Sequence, residues 1–163
     1  MRSTVLFRTF VLFALVSLSA CVPGLTPALQ APAFSSSGEV QVVSFSPPLV
    51  GRGALTLRLP LEVYNPNNFE LELTRVDFDL LVNERLALTS AFTNGFGLSA
   101  QGSRELLLDV TVPLEAGLEL LSDVVNLVGG QSTRYRLDGR VSVEVLGLVE
   151  VFAKTTLVSG QIN

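Results

Sequence analysis

Asp77 and Asp79 stand two residues apart, and in an extended chain that spacing puts both carboxylates on one face, roughly 6 to 7 Å apart. Acidic pairs of this kind hold calcium in some proteins and cleave glycosidic bonds in others. Glu70 and Glu72 repeat the spacing. The residues between and around the aspartates, Val76, Phe78 and Leu80, form an alternating apolar row, which favours a solvated outer face over a site. Gly51-Arg52-Gly53 opens like a dinucleotide-binding loop, but Thr56 stands where the third glycine belongs and no helix follows. The only lysine, Lys154, lies beside Thr155 and Thr156 with no partner motif for a lysine-activated hydroxyl. The chain has no His, no Trp and one Cys, which removes histidine acid/base catalysis, Cys/His zinc sites and any intrachain disulfide. No catalytic residue, metal ligand or cofactor site emerges, and the chain reads as a non-enzyme.

The one cysteine has chemistry of another kind. Residues 1–20 combine Arg2 and Arg8 with an apolar run from Thr9 to Leu18, the pattern of a secretory signal peptide. The uncharged stretch is too short to stay in a bilayer as a spanning helix, which needs about 20 residues. It ends in Leu18-Ser19-Ala20-Cys21, which resembles the bacterial lipobox: a branched aliphatic residue, two small residues, then the cysteine that is acylated on its thiol and exposed by cleavage. Each buried methylene contributes about 0.8 kcal/mol, so two or three acyl chains make an anchor effectively permanent. The expectation is an exported protein held by lipid on Cys21 to the bacterial cell envelope, at its periplasmic or outer face. Residues 21–38, with Pro23, Gly24, Pro27, Pro32 and Ser35-Ser36-Ser37, carry no charge and no sustained period and read as a flexible tether. Removing Arg2 and Arg8 leaves 9 basic against 15 acidic residues, a net charge of −6. A domain so charged, without a basic run, argues against nucleic acid as partner.

Residues 39–163 must then supply the fold, and their dominant apolar period is two. Leu55, Leu57, Leu59, Leu61 and Val63 form one row; Val76, Phe78, Leu80 and Val82, Leu106, Leu108, Val110 and Val112, and Tyr135, Leu137, Val141, Val143 and Val145 form others. Shorter runs at Val40 to Phe45, Leu86 to Thr89 and Val149 to Leu157 bring the strands to about seven. Pro60, on the outer side of its row, predicts an edge or a bulge. Between Leu114 and Val128 the period changes: Leu114, Leu118, Leu121, Val125 and Val128 recur at spacings of four and three, Glu115 and Glu119 lie in the first turns and Gly129-Gly130 follows. That predicts one amphipathic helix with those five residues as its packed stripe. The sum is an all-β, antiparallel sandwich of immunoglobulin or fibronectin III size with one inserted α-helix over an open end or edge. Phe92, Phe96 and Leu98, around Asn94-Gly95, are expected to plug one end of it.

The first strand leads into Leu59-Pro60-Leu61-Glu62-Val63-Tyr64-Asn65-Pro66-Asn67-Asn68-Phe69, which resembles the signature of the late embryogenesis abundant type 2 family, also called the water-stress and hypersensitive-response (WHy) domain. There an alternating strand ends in Asn-Pro-Asn, as Asn65-Pro66-Asn67 does here. The later order of strands, a turn at Asn83, a helix and a final strand pair fits the same family over Glu39 to Ile162. Read by itself, the tripeptide has a sufficient structural explanation, since Pro66 fixes the turn and asparagine side chains satisfy loop backbone groups.

The resemblance implies a protein associated with tolerance of water deficit and with protecting other proteins or membranes. The expected partners are therefore the membrane, through Cys21, and client proteins of the envelope. Two other roles suit the same residues: a structural subunit docked on one envelope complex, or a carrier of an apolar ligand held between sheets and helix.

Overall fold

The alternating rows become the two inner faces of a sandwich. A computed structural model describes residues 28–47, 53–114 and 118–162. The signal segment, the lipobox with Cys21, the first part of the tether, Gly51-Arg52 and Glu115 lie outside the described residues. In chain order the elements are β1 (Ala33–Ser36), β2 (Gln41–Ser46), β3 (Ala54–Tyr64), β4 (Leu71–Val82), β5 (Arg85–Phe92), β6 (Phe96–Leu98), β7 (Ser103–Pro113), α1 (Leu118–Val128), β8 (Thr133–Val145), β9 (Leu148–Val151) and β10 (Thr155–Ile162).

One sheet is three strands wide. β3 lies at its centre, with β7 along one side and β1 and β2 sharing the other. The second sheet is four wide, with β4 and β8 inside; β5 and β6 share one edge and β9 and β10 the other. Every pairing is antiparallel. Among the described residues ten strands therefore fill the seven positions that the sequence pattern suggests. The excess comes from edges split between two segments, where the chain leaves and rejoins the sheet.

Three boundaries differ from the sequence reading. Ala33–Ser36, inside the segment read as tether, is a strand paired with Leu61–Tyr64, so the domain begins before Glu39. Small uncharged residues mask this strand, because four residues on an edge bury too little to show a period. Pro60 is not on an edge: β3 is central, and the proline sits where its neighbour is interrupted between β1 and β2. Its carbonyl accepts from the Ser37 N–H at 3.0 Å, and its missing N–H falls at the break, where no ladder bond is lost. The run from Val149 to Leu157 divides into β9 and β10.

The core is the sum of the rows. Leu55, Leu57, Leu59, Leu61 and Val63 of β3 are buried, facing Leu73, Phe78, Leu80, Leu137, Val141 and Val143 of the other sheet. Each such side chain contributes about 1.5 to 3 kcal/mol when taken fully out of water. The register of β4 shifts between Leu73 and Arg75, and this moves the inward set from odd positions, Leu71 and Leu73, to even ones, Val76 to Val82.

Helix α1 departs from its predicted stripe. Val124 and Leu127 are buried, whereas Val125 and Val128 are exposed. What fixes the rotation is polar: Asp123 accepts from the Asn83 side chain at 2.9 Å and pairs with Arg85 at 3.3 Å. The helix ends in a Schellman motif, with Gln131 N–H on the Asn126 carbonyl, Gly130 N–H on the Leu127 carbonyl, and Gly130 at φ 82, a left-handed value that favours glycine.

Candidate functional site

The Asn65-Pro66-Asn67 motif leaves the end of β3 and turns inward. Asn65 is completely buried and Asn67 nearly so. The Asn65 amide nitrogen donates to the carbonyls of Phe69 (2.9 Å), Ser99 (3.0 Å) and Leu98 (3.2 Å). Its oxygen accepts from the Asn67 backbone N–H at 3.0 Å and from the Asn67 side chain at 2.9 Å. Asn67 in turn holds Gln30 as a strand partner would: its nitrogen donates to the Gln30 carbonyl and its oxygen accepts from the Gln30 N–H, both at 2.9 Å. Asn65 N–H to the Gly102 carbonyl and Gln101 N–H to the Asn67 carbonyl close the ring. The motif is thus a clasp joining both sheets and the segment before β1. Both donor hydrogens of each amide are engaged within the protein, so the motif acts by fastening the chain rather than by holding a ligand. The sequence reading had the loop-satisfying role; it missed Gln30, Ser99 and Gly102, which lie over thirty positions away and carry no local signal.

The acidic pair is on the outer face of the second, wider sheet. Thr89, Asp79, Asp138 and Thr156 stand directly opposite one another across β5, β4, β8 and β10. Two aspartates face to face repel, and here each has a cation: Lys154 on Asp79 and Arg136 on Asp138. Thr89 donates to Asp79 at 2.6 Å and Thr156 to Asp138 at 2.8 Å. Lys154 therefore neutralises a carboxylate on this face. Asp77 takes Arg75, at 2.6 Å, and on the other sheet Arg58 grips Asp109 through two 2.7 Å bonds. Among the described residues no three of His, Cys, Asp and Glu gather as a metal site would require.

These partners hold Asp77, Asp79 and Asp109 below the usual carboxylate range, chiefly through hydrogen bonds from Arg75, Lys154 and Arg58 respectively. Depressed carboxylates add stability above their unfolded pKa, about 3.9, and that stability is lost as pH falls through the folded values. Thermal melts should therefore show a plateau above pH 5 and a decline below about pH 4, flattened by 0.5 M salt because the pairs are largely exposed.

Phe92 and Phe96 pack edge to face, 6.1 Å between centroids, beside buried Leu98, and Arg104 lies over the Phe96 ring at 4.9 Å. Both rings pack half-buried against the core along the edge of β4, where β5 gives way to β6 near its Leu71 end. At the opposite end an open, polar depression of about 560 Å³ is lined by Asn83, Glu84, Ser132, Arg134 and Gln161. It is unlike the enclosed apolar cavity a lipid carrier needs. The sequence reading passed over one further feature. The hairpin of β8 and β9 exposes Leu146, Leu148, Val149 and Val151 together. The unbroken apolar run Val145-Leu146-Gly147-Leu148-Val149, across a turn, was its signal.

A family model described as late embryogenesis abundant protein matches residues 60–155, more than half of the chain. The chain belongs to that family. Membership supports a role related to desiccation and similar stress in a family generally without catalytic activity. Among solved structures, a solution structure of a candidate late embryogenesis abundant (LEA) protein superposes with a TM-score of 0.56 at 14% identity, over 82% of this chain and 71% of that one. This supports the LEA sandwich fold. An Arabidopsis thaliana protein (TM-score 0.48, 12% identity, 80% of each chain) and one from Archaeoglobus fulgidus (0.44, 12%, 77% of this chain and 94% of that one) are more distant in shape. No curated protein matches significantly. No helix among the described residues of this LEA protein is long and apolar enough to cross a membrane.

Proposed function

We propose that this LEA protein is a lipid-anchored component of the bacterial envelope that protects neighbouring proteins or membrane through desiccation and related stress, by non-covalent surface contact. The family match over residues 60–155 carries the reading. Two features support the mode of action. The inward rows are consumed by the core and the buried asparagines by the clasp, which leaves the outer faces as the means of contact. The lone cysteine stands behind Leu18-Ser19-Ala20, where lipidation would use it.

Protection is tested by drying a labile enzyme with the purified protein; greater recovered activity than with an equal mass of an inert protein supports it, and equal recovery refutes it. Anchoring is tested by Cys21→Ser, which should move the protein out of the membrane fraction and abolish acyl labelling. Quantitative retention of the unlabelled variant in membranes would refute the anchor.

A further inference from the structure

Val143 and Val145 tie the base of the β8–β9 hairpin to the core, but its tip and β9 stand outside it. Leu146 is 98% exposed and Leu148 75%, and Val149 and Val151 are also open to solvent. Successive strand residues point to opposite faces, so Leu148 and Val149 make the tip apolar on both sides. A flat protein surface would cover one of those sides; a surrounding medium covers both. The turn is a two-residue one, closed by the Val145–Leu148 pair, with Leu146 at φ 53 and Gly147 at φ 80. Asn or Gly adopts the first of those positions readily, whereas a leucine there costs about 1 to 2 kcal/mol. At the other end of the sheet the Asn83-Glu84 turn has the same signs of φ and carries the expected asparagine. Folding does not explain Leu146.

The location of the tip suggests what it meets. Gln30 is held by Asn67, Asn67 by Asn65, and Asn65 reaches the Leu98 carbonyl. Leu98 pairs with Leu71, and the next residue, Glu72, pairs with Glu144 at the base of the hairpin. The chain therefore joins the domain at the same end of the sandwich from which the apolar tip projects. Gln30 lies nine positions after Cys21, a reach of at most about 30 Å. We infer that the Leu146-Gly147-Leu148-Val149 tip is a membrane-contacting wedge, dipping into the lipid interface beside the acylated cysteine and setting the orientation of the tethered domain. This rests on the lipid anchoring proposed above. Glu144 and Glu150 are the charged residues of the hairpin and neither is basic, so the contact is apolar: it takes zwitterionic lipid and is insensitive to salt.

The test uses the full chain with Leu148→Cys, labelled with an environment-sensitive fluorophore and reconstituted into phosphatidylcholine vesicles containing a shallow nitroxide quencher. A Gln131→Cys label, exposed at the far end of β8, is the control. Quenching about threefold greater at position 148 than at 131, unchanged by salt, is expected for insertion at headgroup depth. Adding Leu146→Asn should keep or raise thermal stability while reducing that quenching at least twofold, a separation no folding role would give. A water-like label at 148 overturns the inference, as does a label shielded only by crosslinking to a second copy or another protein. Mass spectrometry of the N-terminus decides the anchor separately. A floated, acylated protein with a water-like tip sinks the wedge alone. An unacylated one refutes the anchor, and with millimolar vesicles added its label still reports whether the tip inserts.

Discussion

Replacing Asn65 by Ala should cost about 3 to 5 kcal/mol, the largest loss expected from any polar substitution in this fold. The side chain is completely buried and joins five partners. Removing it takes a donor from the carbonyls of Phe69, Leu98 and Ser99, the last of which keeps the Gly102 N–H, and an acceptor from the Asn67 N–H; each buried group left unpaired costs about 1 to 3 kcal/mol when water cannot replace the partner. Partial entry of water makes the sum less than additive. Asn65→Asp separates the two halves of the amide. It preserves an oxygen for the Asn67 N–H but aims a second, charged oxygen at three carbonyl oxygens, so it should destabilise at least as much as Ala despite its equal size. Asn67→Ala loses fewer bonds, about 1 to 3 kcal/mol, and its effect is local, because the Gln30 segment and β1 are released first. Chemical denaturation measures the totals, and hydrogen exchange at residues 30–36 reads the local release. An Asn65→Ala protein as stable as the parent would mean that the clasp is incidental to the fold.

The clasp also shows where sequence was sufficient and where it was not. Period-two rows are properties of single strands, so the inward faces of β3, β4, β7 and β8 are visible residue by residue. Asn65-Pro66-Asn67 is visible as a turn because proline and asparagine act locally. What Asn67 holds is not visible, since Gln30 lies 37 residues away and its segment has neither charge nor period. The same reason hides β1 within the apparent tether. β6 escapes notice because three residues are too few to show alternation. The opposed Asp79 and Asp138 look like two unrelated acids in sequence; only the register brings them together and explains why Lys154 and Arg136 are where they are. The apolar hairpin tip was legible as a run without alternation, but its exposure depends on β9 lying beyond the reach of the opposite sheet, which no local pattern records.

Helix α1 gives the sharpest separation between sequence pattern and packing, and a substitution pair decides it. Val124→Gln should cost about 2 to 4 kcal/mol, while Val125→Gln, the adjacent change in the same helix, should stay within about 0.5 kcal/mol. Spacing alone predicts the reverse, because Val125 belongs to the stripe running through Leu121 and Val128. Yet Val125 is 54% exposed and Val124 2%. The difference follows from one carboxylate. Asp123 is drawn to Asn83, whose own backbone N–H is committed to the Arg134 carbonyl at the start of β8, and to Arg85 on β5. Satisfying that nearly buried charge rotates the helix by about one residue, 100°, and brings Val124 and Leu127 onto the sandwich in place of Val125 and Val128. The apolar area lost is small, since both faces carry valines and leucines, whereas a buried carboxylate without partners costs several kcal/mol. Asp123→Ala should therefore release the helix to its alternative face, and in that background the ordering of the two glutamine variants should narrow or invert. Unchanged ordering would place the cause of the rotation in the apolar contacts of Val124 and Leu127 themselves.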